Sequence, residues 1–75
     1  MEDRIRQIVA RVANAEDASA LPAEADLYRE IGVKSTAALD LLLSLEEEFQ
    51  ITIADDSFAD ARSIRALVQL VGEHT

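Results

Sequence analysis

Residues 31–53, IGVKSTAALDLLLSLEEEFQITI, form the stretch that decides the fold. Its apolar residues recur at the three- and four-residue spacing of an α-helix, and its polar residues fall between them. We therefore predict an amphipathic helix over 35–50. Its apolar face would hold Ala38, Leu42, Leu45 and Phe49, with Leu41 beside them, and its opposite face would hold Asp40, Ser44 and Glu47.

Two further leucines of this helix, Leu39 and Leu43, fall at the rim of the apolar face, next to the acidic side. Leucine is more often a core residue than a contact residue, so burial is the first expectation for each. The centre of the apolar face is already filled, however, and both cannot lie there. The sequence leaves open whether they are buried in the core or exposed as contact residues for a partner protein.

Helical spacing also marks the two ends of the chain. Over 2–14, Ile5, Ile8, Val9 and Val12 form one stripe. A last helix is predicted from Ser63, a good N-cap residue, to an end at Gly72, with an apolar stripe formed by Ile64, Leu67, Val68 and Val71. Between the second and last helices, residues 56–60 predict one or two helical turns with Asp56 as the cap.

The segment 15–34 is the least certain part of the fold. Pro22 and Gly32 bracket a stretch that propensity alone would make a helix. The competing prediction, which we favour, is a long structured loop with some helical turn. The expected fold is therefore all-α: a small four-helix bundle, with three longer helices and one short one, a long first loop and a single domain over 1–75.

The length and composition exclude most catalytic chemistry. A chain of 75 residues buries only about 60% of its unfolded surface, which leaves no room for a deep, dry active site. There is no Cys, and the single His74 stands next to the last residue, so neither a metal site nor a His-dependent triad is expected. No apolar run approaches a membrane span. We expect a soluble, cytoplasmic protein that is not an enzyme.

The charge is unevenly distributed. Fifteen acids oppose seven Lys and Arg, for a net charge of −8, and 35–61 contains seven of those acids and no base. Such a surface repels nucleic acid and anionic membranes, and it favours a monomer with basic protein partners.

Ser35 opens the acidic helix, and three interpretations of it compete. It caps the helix with its hydroxyl, or it is a nucleophile, or it is modified by another enzyme. A nucleophile needs a positioned base, which this sequence does not offer. An exposed hydroxyl at a helix start suits an attached phosphate, because free N–H groups and the helix dipole stabilise the anion.

The spacing around Ser35 resembles the acyl carrier protein family. That family shows roughly a D-[LF]-x-x-x-G-x-D-S-L pattern, which this chain follows with one additional residue between Leu27 and Gly32, and then, ten residues after the serine, L-E-E-x-F-x-I-x-I. The matching residues here are Asp26, Leu27, Gly32, Ser35, Leu45, Glu46, Glu47, Phe49, Ile51 and Ile53. The later stretch with Asp55, Asp56, Ser57 and Phe58, and then Arg62, Ser63, Ile64 and Leu67, also resembles the family, so the likeness covers nearly the whole chain.

The resemblance implies a carrier whose Ser35 receives 4′-phosphopantetheine from coenzyme A through a separate Mg²⁺-dependent phosphopantetheinyl transferase. The terminal thiol would hold an acyl cargo as a thioester and present it to a loading enzyme and to downstream synthases or transferases of a biosynthetic pathway, for example polyketide or fatty acid synthesis. The family's second helix is its recognition element. The corresponding residues here are Lys34, Thr36, Leu39, Asp40, Leu43, Glu47 and Glu48.

Two positions depart from the family pattern. Lys34 stands where the family usually has Asp, and Thr36 stands where it usually has an apolar residue. A cation at a helix start is disfavoured by up to about 1 kcal/mol. We hypothesise that Lys34 changes which transferase or downstream enzyme is accepted, in a specialised pathway. Equal modification rates of Lys34→Asp and wild type by several transferases would refute this.

Two alternatives remain open at the level of sequence. The first is an aminoacyl or peptidyl carrier loaded by an adenylating ligase. The second is an unmodified acidic helical adaptor that binds a basic partner protein. Met1 and the compact ends favour a free-standing chain over one excised from a larger synthase.

Overall fold

Four α-helices form the structure, a computed structural model that describes residues 1–74. The helices are α1 (Glu2–Ala13), α2 (Ala38–Phe49), α3 (Asp55–Asp60) and α4 (Ile64–His74). Within 1–74 there is no β-strand. The predicted all-α bundle of three longer helices and one short one is confirmed.

The core is built where the predicted apolar stripes meet. α1 packs against both α2 and α4, and each of the three contributes side chains that are completely buried. Full burial of one such side chain stabilises the fold by about 1.5–3 kcal/mol. The fully buried large residues are Ile5, Val9, Leu27, Val33, Leu41, Leu45, Ile64, Leu67 and Val71.

The long first loop contributes to this core instead of only connecting helices. It contains a 3₁₀ turn at Ala18–Ala20 and a π-type turn at Leu27–Ile31. The helix that propensity favours between Pro22 and Gly32 does not form, so the loop with some helical turn is the correct alternative. The reason is local: Asp26 caps a five-residue turn, and Gly32 ends it in the left-handed region at φ 98°.

One predicted helix end is confirmed and two are wrong. Ser63 does cap α4, because its hydroxyl accepts a hydrogen bond from the Ala66 amide at 3.1 Å. Gly72 does not end α4, which continues to His74, whose Nδ1 lies 2.8 Å from the Leu70 carbonyl oxygen. Asp56 does not cap α3; Ala54 precedes the helix, and Asp56 lies in its first turn.

Candidate phosphopantetheine attachment site

Ser35 is the first residue of a 3₁₀ turn, Ser35–Ala37, that precedes α2. Lys34 before it is extended, and its carbonyl accepts the Ala37 amide at 2.8 Å. The N-cap role considered for Ser35 is therefore wrong: Ser35 already lies inside the turn, one residue too late to cap its first amides. The predicted helix start at Ser35 is thus a 3₁₀ turn, and the α-helix begins at Ala38.

The Ser35 side chain is free to be modified. Ser35 is exposed, and within residues 1–74 its hydroxyl has no hydrogen-bond partner. A hydroxyl that stabilises nothing in the fold is available to an external enzyme at no structural cost.

The segment that presents Ser35 is anchored from behind. The Val33 amide donates to the Leu27 carbonyl at 2.8 Å, and Leu27 and Val33 are both buried. Leu27 in turn donates its amide to the carbonyl of Arg62, 2.8 Å away on the approach to α4. Only Lys34 separates the anchored Val33 from Ser35. The buried Val33 therefore restricts where Ser35 can lie on the surface of the bundle.

Asp26 is the centre of this anchor. Its carboxylate accepts the amides of Tyr28 and Arg29, both at 2.9 Å, and the Arg62 guanidinium through Nε at 2.9 Å and Nη2 at 3.2 Å. These hydrogen bonds, led by the Arg29 amide and the Arg62 side chain, lower the pKa of Asp26 to about 2. The ionised carboxylate thus ties the first loop to the start of α4.

We expect this carboxylate to make stability depend on pH in acid. A pKa lowered in the folded state gives stability that is complete above the unfolded value of about 3.9 and is lost as the pH falls through about 2. Asp26→Asn keeps a capping oxygen but no charge. The difference in thermal midpoint between wild type and Asp26→Asn should therefore narrow from pH 5 to pH 2.

The control for this titration is Asp60→Asn. Asp60 is an exposed carboxylate at the end of α3 that makes no hydrogen bond within residues 1–74. Its removal should leave the acid slope of the thermal midpoint as in wild type. A difference between wild type and Asp26→Asn that stays constant over this pH range would contradict the role of the ionised Asp26.

A cavity of about 410 Å³ opens beside Ser35. Its walls are mostly apolar and come from the first loop, the 3₁₀ turn of Ser35, α2, α3 and the connection between α3 and α4. Arg62 covers the ring of Tyr28, with 4.9 Å from its guanidinium carbon to the ring centroid. The lining residues are Tyr28, Ser35, Ala38, Phe58, Ala59 and Arg62.

This arrangement fits a phosphopantetheine group attached to Ser35. The serine hydroxyl is unengaged and exposed, as the attachment requires, and an adjoining apolar wall and a guanidinium group suit a chain that carries a phosphodiester. Sequence patterning did not place Arg62 beside Ser35, because the two meet through long-range contacts of Arg62 with Leu27 and Asp26 in the first loop.

The residues predicted to contact partners all lie near the surface, but they differ in how exposed they are and in whether they form ion pairs. Leu39 and Leu43 retain 64% and 52% of their exposure, so the expectation of burial is wrong for both. The core positions next to them are filled by Leu41, Leu42 and Leu45, as the crowding of the stripe suggested. Lys34 and Thr36 are also exposed.

The three predicted acidic contacts divide into two paired residues and one unpaired residue. Asp40 lies against Arg11 at 3.3 Å, and Glu48 accepts two hydrogen bonds from Arg4 at 2.8 and 3.1 Å. These guanidinium groups lower the pKa of both carboxyls. Glu47 has no ion pair within residues 1–74.

Among residues 1–74, no three His, Asp or Glu side chains come together as a metal site would require. In the same part of the chain, every helix falls short of the length and apolar character that crossing a membrane demands.

Comparison with known proteins agrees with this geometry. The phosphopantetheine attachment site family matches residues 3–71. An acyl carrier protein of Trieres chinensis is 28% identical over 68 residues, covering 91% of this chain and 84% of the relative. Acyl carrier protein 2 of Pseudomonas aeruginosa is 27% identical over 73 residues, covering 97% and 91%.

A solved structure is similar as well. It is a crystal structure of an engineered Bradyrhizobium japonicum glycine:[carrier protein] ligase complexed with a carrier protein from Agrobacterium tumefaciens and AMP. The match has a TM-score of 0.81 and 32% identity, and it covers 96% of this chain and 99% of the matched one. The chain described here belongs to the phosphopantetheine-binding carrier protein family, and its cofactor is 4′-phosphopantetheine.

Proposed function

We propose that Ser35 is the attachment residue and that the modified protein carries its cargo as a thioester without catalysing a reaction itself. The observation that carries this proposal is the position of Ser35: an exposed, unengaged hydroxyl in the 3₁₀ turn before α2, beside an open apolar cavity. When bound, the phosphopantetheine group supplies the thiol that forms the thioester. The protein positions this group and presents it to other enzymes.

The cargo has two candidates, each with its own support. An acyl group is supported by the curated relatives, both of which are acyl carrier proteins. An aminoacyl group, loaded by an adenylating ligase, is supported by the similar carrier protein that was solved together with a glycine:[carrier protein] ligase. The structural match is 32% identical, slightly above the 28% and 27% of the two relatives, and supports the aminoacyl candidate as the alternative.

The partner surface in this proposal is the exposed edge of α2 with the residues before it. Leu39 and Leu43 offer an apolar contact, and Glu47 offers an unpaired carboxylate beside them. An apolar centre with charge around it favours both affinity and orientation. The proposed contact residues are Lys34, Thr36, Leu39, Asp40, Leu43, Glu47 and Glu48, and the proposed partners are the transferase, a loading enzyme and downstream enzymes.

The test is intact-protein mass spectrometry in two stages. Incubation with coenzyme A, Mg²⁺ and a broad-specificity phosphopantetheinyl transferase should add one phosphopantetheine group. No gain, with that transferase or with one from the same source, would overturn the proposal in favour of an unmodified acidic adaptor.

The second stage compares cargoes on the modified protein. One reaction contains ATP, glycine and a glycine:[carrier protein] ligase, and the other contains ATP, a fatty acid and an acyl-loading ligase. A mass increase in the first alone would favour the aminoacyl carrier, and an increase in the second alone would favour the acyl carrier.

A further inference from the structure

The groove between α1 and α2 contains both signs of charge. It has a volume of about 430 Å³ and is lined by Arg4 and Arg11 from α1 and by Glu47 and Glu48 from α2. Sequence patterning assigned no role to the two arginines, since both lie off the apolar stripe of α1. The fold places them opposite the acidic side of α2.

Both arginines are held in defined geometry. Arg4 donates two hydrogen bonds to Glu48, from Nη2 to Oε1 at 2.8 Å and from Nε to Oε2 at 3.1 Å. Arg11 donates to Asp40 at 3.3 and 3.4 Å and to the Ser44 hydroxyl at 2.6 Å, and that hydroxyl donates to Asp40 at 3.0 Å. Arg11, Ser44 and Asp40 thus form one hydrogen-bond network, in which the Asp40 carboxylate accepts from both Arg11 and Ser44.

These two ion pairs change the electrostatic potential at the surface of α2. Each is an exposed ion pair and contributes little to stability. Their effect on the surface potential is larger, because two guanidinium groups offset two of the three exposed carboxylates on this side of α2. Among residues 1–74, Glu47 is the fully exposed carboxylate on this side of α2 that has no ion pair, whereas the half-buried Glu46 carboxylate accepts the Ile53 amide at 2.8 Å.

We propose that Arg4 and Arg11 are specificity-determining residues that weaken the contacts of Asp40 and Glu48 with basic partners. This inference rests on the carrier function proposed above. The partner it fits is an enzyme with an apolar pocket for Leu39 and Leu43 and a single basic side chain for Glu47. An enzyme whose docking site is an extended basic patch gains little here, because its cations must compete with arginines already in place.

The proposal is tested first on the unmodified protein with a cationic probe. Hexalysine is titrated into ¹⁵N-labelled protein at low salt while the amide shifts of α2 are followed. Wild type should bind weakly, with shifts centred on Glu47. Arg11→Gln should tighten binding roughly two- to fivefold, the range that one exposed ion pair supports, with new shifts at Asp40 and Ser44. Arg4→Gln should do the same at Glu48.

The matched control is Arg65→Gln. Arg65 is as exposed as Arg11 and also faces one carboxylate, Glu24, at 3.8 Å, so its loss changes the net charge equally. If the arginines act by masking, Arg65→Gln leaves hexalysine binding at α2 as in wild type. If Arg65→Gln tightens it as much as Arg11→Gln, only net charge matters and the proposal is overturned.

A double-mutant cycle supplies the second measurement. Asp40→Asn should change hexalysine binding little in wild type, where Asp40 is already paired, and should cancel the gain in the Arg11→Gln background. Equal effects of Asp40→Asn in both backgrounds would overturn the proposal. Because these titrations use the unmodified protein, their outcome is separate from whether Ser35 receives phosphopantetheine.

Discussion

Replacing Ser35 with alanine is expected to abolish phosphopantetheine attachment completely while leaving the fold intact. In the proposed function the Ser35 hydroxyl accepts the phosphoryl group, and no other atom of residue 35 could replace it. Since the hydroxyl makes no hydrogen bond within residues 1–74 and is exposed, its loss should alter the free energy of unfolding by less than about 0.5 kcal/mol. Function and stability are thus separable at this position.

The measurement is the intact mass after incubation with coenzyme A, Mg²⁺ and the transferase, together with thermal unfolding of the same samples. Ser57→Ala is the matched control, because Ser57 is an exposed serine on α3, the helix that contributes Phe58 and Ala59 to the cavity. That variant should be modified as wild type is. Attachment that survives in Ser35→Ala would place the acceptor elsewhere, and peptide mapping would then examine Thr36, the adjacent exposed hydroxyl.

The parts of this site that could be predicted from sequence are those determined over short distances along the chain. The helical spacing of Ala38 to Phe49 requires only neighbouring residues, and so does the cap at Ser63. The position of Ser35 before α2 follows from the same spacing. Periodicity determines these features because each depends on which face of one helix is apolar.

The parts that could not be predicted depend on pairs that only the fold creates. Asp26 and Arg62 are 36 residues apart, and Arg4 and Glu48 are 44 apart. Neither ion pair can be predicted from neighbouring residues in the sequence, because an exposed arginine can pair with any carboxylate that the fold brings close. As a result, the sequence indicated an acidic recognition helix but not the two arginines that neutralise part of it.

Local rules also failed where tertiary contacts outweighed them. Glycine near a helix end predicts a stop, yet α4 passes through Gly72 to His74. An interior glycine costs only about 1 kcal/mol, which Leu70 and Val71, both buried just before it, readily offset. The residue considered as the cap of α2, Ser35, is displaced by the intervening 3₁₀ turn for a similar reason: Val33 is held in the core, and the chain must turn immediately after it.

The second large effect is expected from a pair of leucines on the same helix. Leu45→Ala should destabilise the protein by about 2–5 kcal/mol, because Leu45 is completely buried and its loss leaves a cavity between α2 and the core. A domain of this size has a total stability of about 4–11 kcal/mol. Leu45→Ala therefore removes a large part of that stability and should unfold at a much lower denaturant concentration.

Leu43→Ala makes the identical chemical change two residues earlier, at a side chain that remains 52% exposed. We expect it to shift the free energy of unfolding by less than about 0.5 kcal/mol. Urea unfolding of the two variants, followed by circular dichroism at equal protein concentration, gives both values. Equal destabilisation would mean that Leu43 belongs to the core after all, as the abundance of buried leucines first suggested.

The same pair then distinguishes packing from recognition. If Leu43 is kept exposed for partners, Leu43→Ala should raise the KM of the carrier with the transferase or the loading enzyme while its stability is unchanged. Leu45→Ala should leave KM near the wild-type value in conditions where the protein is still folded. Burial of the half-exposed Leu43 explains little of its presence on α2. A Leu43→Ala variant with unchanged stability and unchanged KM for every partner tested would therefore remove the apolar edge of α2 from the proposed interface, and Glu47 would remain as an exposed contact without an ion pair.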